Sequence, residues 1–446
     1  MVHPLKSSSP LKRPSVQWTA AVAVLMLVFL ALNSVPQLRP LWKLLVAGLS
    51  ANQPTVDLGS LLVGIDSFRA AGYRMDLSAM QKALIANSLP PFNFPYIWLW
   101  LAYVPGIGFK NVLFVAAVMY AALGTTFILL FRGEERRVQF IVLLALLSPS
   151  VGLLFERGNI DIVMFCLVAW AALLLAKNTL RFELSASALL LLAAFLKLFP
   201  IAAALSFLRT ASLRGRILLS ICALLFVLGA AAQRGDIQRV LEVTPDPPHN
   251  AYGAKVLVYE LLGKVKFQRD AKQLHFIWEQ LQSRKDYARL VSTGGLLFQI
   301  AATLAGGACF LLGLRALSAV AGATLLRANQ KSTFLAGASI YIATFIVRNN
   351  WCYRLVFLTL CISAIAGLVR AARPKHAAFF RALLCIIVGL LWITPIYEPM
   401  EYFLIHNILH WFAVGGLAFT CGVIIRSTFA ERSEEAASGI GQRALC

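Results

Sequence analysis

Charge is scarce in this chain. Only 14% of its 446 residues are Asp, Glu, Lys or Arg, while 59% are hydrophobic and the mean hydropathy is +0.74. That balance excludes a disordered segment or an ordinary soluble domain, and apolar runs of about twenty residues recur along the whole length, which defines a polytopic integral membrane protein. Acidic groups are scarcest, 20 against 41 Lys and Arg, for a formal net charge of +21. In a soluble chain this excess would suggest nucleic acid. Here the cations form short clusters between apolar runs and read as topology signals facing an anionic leaflet, so membrane lipids are expected as neighbours and nucleic acid is not.

Metal and redox signals are missing too. Of eight cysteines, Cys166, Cys222, Cys309, Cys361, Cys385 and Cys421 lie in apolar segments, with no CxxC and no zinc-type His/Cys spacing. No disulfide framework, metal or cofactor is therefore expected. There is no Walker-type glycine-rich loop, and no Asn-x-Ser/Thr sequon, in agreement with a bacterial membrane protein.

The topology follows from the basic clusters. Lys6, Lys12 and Arg13 precede the apolar run from Trp18 to Leu32, which keeps residues 1–17 cytoplasmic as an N-terminal tail. No small-x-small cleavage site follows Leu32, so the span is retained. Residues 36–110 then form a large outer segment, Val112 to Phe131 returns to the basic stretch Arg132 to Arg137, Phe140 to Phe155 exits, and Ile160 to Ala176 comes back. Leu184 to Leu208 has basic ends on one side, so it reads as a short re-entrant pair broken at Lys197-Leu198-Phe199-Pro200, where proline removes a backbone donor. Ile217 to Ala232 exits to a second outer segment, 233–293. Leu296 to Leu314, Phe334 to Val347, Leu355 to Val369 and the pair Leu383 to Thr394 and Leu404 to Ile425 complete the set. The expectation is an all-α protein of about 11–12 crossings. Residues 18–425 form a single transmembrane domain, the tail 426–446 is cytoplasmic and disordered, and the protein sits in a bacterial inner membrane.

Subtracting the topology signals leaves a compact set of polar groups at the outer ends of spans. Asp57 stands alone among apolar residues, which suits a desolvated general base. Asp66, Arg69, Arg74 and Asp76 read as a solvated helix face. The proline-punctuated aromatic run from Pro90 to Trp100 is too short to span and fits an interfacial or re-entrant helix. Arg157, Lys197, Arg348 and Arg354 run against the charge bias, and together they suit an anion at headgroup depth, such as a lipid phosphate. His249 and Asn250 sit in a proline-rich turn, where His249 is either a proton carrier or a hydrogen-bonding turn residue.

In this order, Asp57, the segment Asn93 to Trp100, the Arg157-Gly158-Asn159-x-Asp161 turn, the Lys197-x-x-Pro200 break, His249-Asn250 and Asn349-Asn350-Trp351-x-Tyr353-Arg354 resemble the polyprenyl-phosphate-dependent glycosyltransferases of superfamily C. Glycosyltransferase family 87, a mannosyltransferase-like family, is the nearest in pattern. The resemblance implies the superfamily fold with a large first outer loop. It implies an inverting transferase at the outer face that moves a monosaccharide, mannose or similar, from a polyprenyl-phosphate donor to a lipid or glycan acceptor. Asp57 would be the base, with His249 as a second catalytic group. Arg157, Lys197, Arg348 and Arg354 would bind the lipid phosphate, and Asn159, Asp161, Asn250, Asn350 and Tyr353 the sugar or acceptor. Two other classes fit parts of the pattern. A flippase or transporter would place ionisable groups near mid-membrane, and an O-antigen polymerase or ligase would rest on His249 and the arginines.

Overall fold

The computed structural model describes residues 16–46, 55–210, 212–244, 251–258, 285–316, 322–347, 350–393 and 403–443. The α-helices, in chain order, are α1 Val16–Ser34, α2 Arg39–Leu45, α3 Val56–Ala70, α4 Leu77–Ala86, α5 Val112–Phe131, α6 Arg136–Leu146, α7 Pro149–Glu156, α8 Asp161–Leu175, α9 Leu180–Leu196, α10 Leu213–Ala232, α11 Arg234–Val243, α12 Lys285–Arg315, α13 Ala328–Val347, α14 Thr359–Ala371, α15 Pro374–Ile393 and α16 Phe403–Arg443. Tight 3-10 turns occupy Tyr96–Tyr103, Phe199–Thr210 and Cys352–Leu358, and two two-residue strands, β1 Ala251–Tyr252 and β2 Asn350–Trp351, pair antiparallel. The all-α polytopic expectation holds.

Among the described residues six helices are long and apolar enough to cross a membrane, or up to seven if the pair α6 and α7, bent by 55°, is one span. Other expected crossings fall on shorter apolar helices, Val16–Leu32, Asp161–Leu175 and Phe199–Arg209, and Phe334 to Val347 falls on α13, twenty residues long but not among the six. The bend has a local cause. Ser148 caps α7 by accepting from the Val151 N–H, and Pro149 takes the first helical position, where its missing donor costs nothing.

The helices alternate between two ends of one bundle. Trp18, at the start of α1, meets Phe131, at the end of α5, edge to face at 6.3 Å. Lys331 at the start of α13 pairs with Glu431 of α16 at 2.6 Å, which places both terminal helices' outer turns at this end. The tail expected to be disordered from Ser427 on instead continues α16 as far as Arg443, with Ser427 and Thr428 buried and Glu431 tied to Lys331. The expected break at Lys197 is present: Lys197 is extended (φ −161°, ψ 122°) between α9 and the Phe199–Thr210 turns. Arg209 returns to within 3.0 Å of Glu183 at the start of α9, so the two pieces form a hairpin. The Cys352–Ala371 span lies at the centre, 89% buried. At the periphery, Gly313 of α12 lies against the Phe419 carbonyl and Gly422 of α16 against the Phe310 carbonyl, so closely that no Cβ fits at either position.

The loops at the other end are held by polar ties. Arg69 donates to the carbonyls of Ala102 (2.9 and 3.1 Å) and Ile107 (3.1 Å), and its partner Asp66 accepts from the Phe109 N–H at 2.8 Å. Asp76 caps α4. Asp66 and Arg69 thus fasten the loop from a part-exposed face, and Asp76 is an exposed N-cap, in keeping with a solvated helix face. Arg239 of α11 donates to the Phe92 and Phe94 carbonyls at 2.8 and 2.6 Å, stacks over Tyr96, and pairs with Asp236, which accepts from the Tyr96 N–H. The two segments expected on one face of the membrane therefore dock on each other.

Candidate active site

The Arg157-Gly158-Asn159 sequence is a helix stop followed by a helix start. At the end of α7 the Gly158 N–H bonds the Phe155 carbonyl at 2.9 Å and the Asn159 N–H bonds the Leu154 carbonyl at 3.2 Å. This is the Schellman pattern, with Gly158 left-handed at φ +55°. Asn159 Oδ1 then accepts from the Asp161 N–H at 2.9 Å and opens α8. The start of α3 is fastened to the same turn: the Thr55 N–H bonds the Glu156 carbonyl (2.6 Å) and the Asp57 N–H bonds the Arg157 carbonyl (3.0 Å). Tyr120 of α5 donates to the Phe155 carbonyl at 2.5 Å.

Two carboxylates organise the side chains. Asp57 receives a forked guanidinium, Arg157 Nε to Oδ2 at 2.9 Å and Nη2 to Oδ1 at 2.7 Å, and Asn159 Nδ2 donates to Oδ2 at 2.5 Å. Asp161, fully buried, takes Lys197 Nζ on Oδ1 at 2.5 Å and Arg354 Nε on Oδ2 at 3.0 Å. Arg354 also bonds Asn350 Oδ1, and Asn350 Nδ2 donates to the Thr344 carbonyl at 2.5 Å. Lys197 is aimed by its broken helix, whose last carbonyl, Leu196, accepts from the Trp98 indole at 3.0 Å. The aromatic run of the first loop thereby positions the lysine.

Seven of the expected site residues, Asp57, Arg157, Asn159, Asp161, Lys197, Asn350 and Arg354, thus form one hydrogen-bonded network. Tyr353 lies beside it, buried and stacked on Trp351 with ring centroids 6.4 Å apart. His249, Asn250 and Arg348 lie outside the described residues.

Two expectations change. Asp57 is not alone among apolar groups, because the fold brings it a guanidinium and an amide from 100 and 102 residues away. Asn159 and Asn350 are buried, and each bonds the protein through both its amide oxygen and its amide nitrogen, which makes them struts of the site as well. The cations are also compensated. Among the described residues Arg157, Lys197 and Arg354 face Asp57, Asp161 and the buried Glu156, which adds no net positive charge. Burial by itself would ease proton loss from Arg157, but the Asp57 charge and hydrogen bonds outweigh it and hold the guanidinium more firmly protonated than usual. Lys197 shows the reverse balance. Desolvation pulls its ammonium below the usual lysine range, and the attraction of Asp161 only partly offsets this.

Sequence reasoning did not find the aromatic surfaces. Arg157 lies 5.4 Å from the Trp351 ring centre, and Phe199 is approached by both Lys197 (5.9 Å) and Arg354 (4.9 Å). Nor did it find the buried group behind β1 and β2, where Tyr252 stacks on Tyr341 and His410, Tyr341 Oη lies 2.6 Å from His410 Nδ1, and His410 Nε2 lies 2.9 Å from His406 Nε2. A signal existed for the histidines: two polar rings at i and i+4 in an otherwise apolar span. The chain matches no family model, no curated protein and no solved structure.

Proposed function

We propose that the protein is an inverting glycosyltransferase that takes a monosaccharide from a polyprenyl-phosphate donor and passes it to a lipid or glycan acceptor. Asp57 acts as base. The acceptor hydroxyl oxygen forms the new bond to the anomeric carbon while the bond from that carbon to the phosphate oxygen breaks. The electron pair departs on the lipid phosphate, and the hydroxyl proton passes to Asp57. A positioned base contributes about 10²- to 10⁴-fold, and cations placed where the leaving charge develops add to it. The observation that carries this reading is the convergence, at one end of the bundle, of the nearly buried Asp57 carboxylate, its side chain 12% exposed, with Arg157, Lys197 and Arg354 beside broken helices. We assign that end to the outer face of a bacterial inner membrane and both termini to the cytoplasm, as the distribution of basic clusters favours.

The test is transfer of radiolabelled sugar from a panel of polyprenyl-phosphate monosaccharides to lipid and glycan extracts, comparing the wild type with Asp57→Asn in detergent. Transfer by the wild type and its loss in the variant, with donor binding retained, supports the reading. Full activity in the variant rejects Asp57 as base. No transfer by either protein, with lipid-linked substrate moving across liposomes, replaces the enzyme by a transporter.

A further inference from the structure

The site as it stands has a base that is already occupied. Asp57 Oδ1 holds one Arg157 N–H, and Oδ2 holds another together with the Asn159 amide. An acceptor hydroxyl must reach a free carboxylate lone pair; three of about four acceptor sites are taken, and the one left, on Oδ1, lies against the guanidinium, so the fork crowds the reaction that the residue is there to assist. The cations, moreover, add no net charge with which to attract a donor phosphate. Both difficulties disappear if one cation changes partner.

Only one of the three is placed to do so. Lys197 and Arg354 share Asp161, which is fully buried, and withdrawing either leaves a buried charge poorly compensated. Arg157 serves a carboxylate whose side chain is 12% exposed and is itself 23% exposed. Its Nη1 makes no hydrogen bond among the described residues. The Trp351 face at 5.4 Å offers a surface along which the guanidinium plane can slide while staying solvated by π-density. Asn159 does not need to follow. Its Oδ1 is fixed by the Asp161 N–H, so its Nδ2 stays on Asp57 Oδ2 and keeps the carboxylate oriented after the arginine departs.

Resting on the glycosyltransferase reading, we infer that Arg157 is an exchangeable mask. It covers Asp57 until the phosphate of a polyprenyl-phosphate donor takes the guanidinium away, and Oδ1 then becomes free for the acceptor hydroxyl. The donor phosphodiester offers Arg a bidentate partner with the same single negative charge as a carboxylate, and the charge on it grows as the sugar–phosphate bond breaks, so the exchange replaces one bidentate pair by another. The base becomes competent only in the presence of donor, which imposes an order: donor first, acceptor second. Asn159 is accordingly a positioning residue.

The exchange is readable without turnover. Dicyclohexylcarbodiimide, which is membrane-soluble, is attacked at its central carbon by a carboxyl oxygen as a proton passes to its nitrogen, and the O-acylisourea so formed rearranges to a stable N-acylurea on the side chain. The Arg157 fork lies across both Asp57 oxygens and shields them from the reagent while it is in place. The purified full-length protein is treated with and without farnesyl phosphate, with farnesol and inorganic phosphate as further arms, and labelling of Asp57 and Asp161 is read by peptide mass spectrometry. Farnesyl phosphate is expected to raise Asp57 labelling by roughly tenfold or more, since even one of the fork's two hydrogen bonds to a charged group corresponds to about that factor, while Asp161 stays unlabelled and farnesol has no effect. A rise with inorganic phosphate as well assigns the exchange to the anion alone, and a rise only with the lipid assigns it to a lipid headgroup. Arg157→Gln is expected to label rapidly under every condition. Unchanged or reduced Asp57 labelling in wild type with farnesyl phosphate overturns the exchange, even if sugar transfer has been demonstrated. Raised labelling in a protein that transfers no sugar leaves the exchange standing and removes the transferase.

Discussion

The two ends of the bundle both bury carboxylates against cations, yet they are built differently. At the end where α1 starts and Glu431 of α16 lies, Glu134 meets Arg327 and accepts from Ser363 Oγ at 2.6 Å, and Glu183 meets Arg209 and Arg214 at 3.0 and 2.5 Å. These groups sit where helices start and finish, and they tie neighbouring ends together. At the opposite end the carboxylates sit where helices break. The backbone there turns left-handed at Thr55 and Gly158, Lys197 is extended, and Trp351 and Phe199 lie against the cations. Buried ion pairing by itself therefore does not mark a site. Ion pairs combined with interrupted helices and aromatic surfaces do, because interrupted backbone at membrane depth persists only where it is packed in protein or lines a cavity.

The strongest way to break this comparison is to neutralise one carboxylate at each end. Asp57→Asn is expected to lower sugar transfer by about 10²- to 10⁴-fold with little change in thermal unfolding. Glu134→Gln is expected to lower the melting temperature while leaving transfer close to wild type. Equal losses of transfer from both would mean that the two ends do not differ in function.

Asp161 sharpens the contrast within one end. Removing its charge leaves Lys197 and Arg354 without their shared partner, and breaking a buried pair in this way costs about 3–5 kcal/mol. Asp161→Asn should thus unfold in detergent at a clearly lower temperature than Asp57→Asn, and Glu183→Gln, which strands the buried Arg209, should resemble it. If Asp161→Asn melts with the wild type, its two ion pairs are not the keystone that the geometry indicates.

A smaller effect is expected on pH. Desolvation holds the Lys197 ammonium below the ordinary lysine value of about 10.4. On the proposed reading, the charged form that would serve a donor phosphate is present below the residue's own pKa and is lost as pH rises through it. Donor binding should fall off on the alkaline side earlier than for an ordinary lysine, and Lys197→Arg should move that limb to higher pH. A limb unmoved by the substitution assigns it to another group.

The parts of this architecture that are legible in the sequence are those set by one-dimensional pattern. Val112 to Phe131 is read to its ends because a twenty-residue apolar helix is bounded by polar residues on both sides, and the break at Lys197 is read because Pro200 leaves few alternatives. Membership of the site is legible where polar groups oppose the charge bias, as with Arg157, Lys197 and Arg354. Pairing is not. Asp57 and Arg157 are 100 residues apart and Asp161 and Arg354 are 193 apart, and nothing in local pattern says which cation serves which carboxylate. The role of Trp98 is hidden for the same reason: its indole acts on a carbonyl 98 residues away.

Gly158 offers the smallest and most local test of how the irregular end works. Its φ of +55° costs an L-residue about 1–2 kcal/mol, and a Cβ there would sit 3.1 Å from Leu58 Cβ and 3.2 Å from Thr55 Cβ. Those neighbours belong to the start of α3, which carries Asp57. Gly158→Ala is therefore expected to reduce stability modestly while pushing α3 away from the turn, stretching the bonds between the Arg157 fork and Asp57. A glycine-to-alanine change in a purely structural cap would lower the melting temperature alone. Here transfer should fall further than the loss of folded protein explains, and Asp57 should label faster with carbodiimide even without lipid phosphate. Transfer that falls only in step with the folded fraction would show that the turn supports the bundle without setting the geometry of the carboxylate.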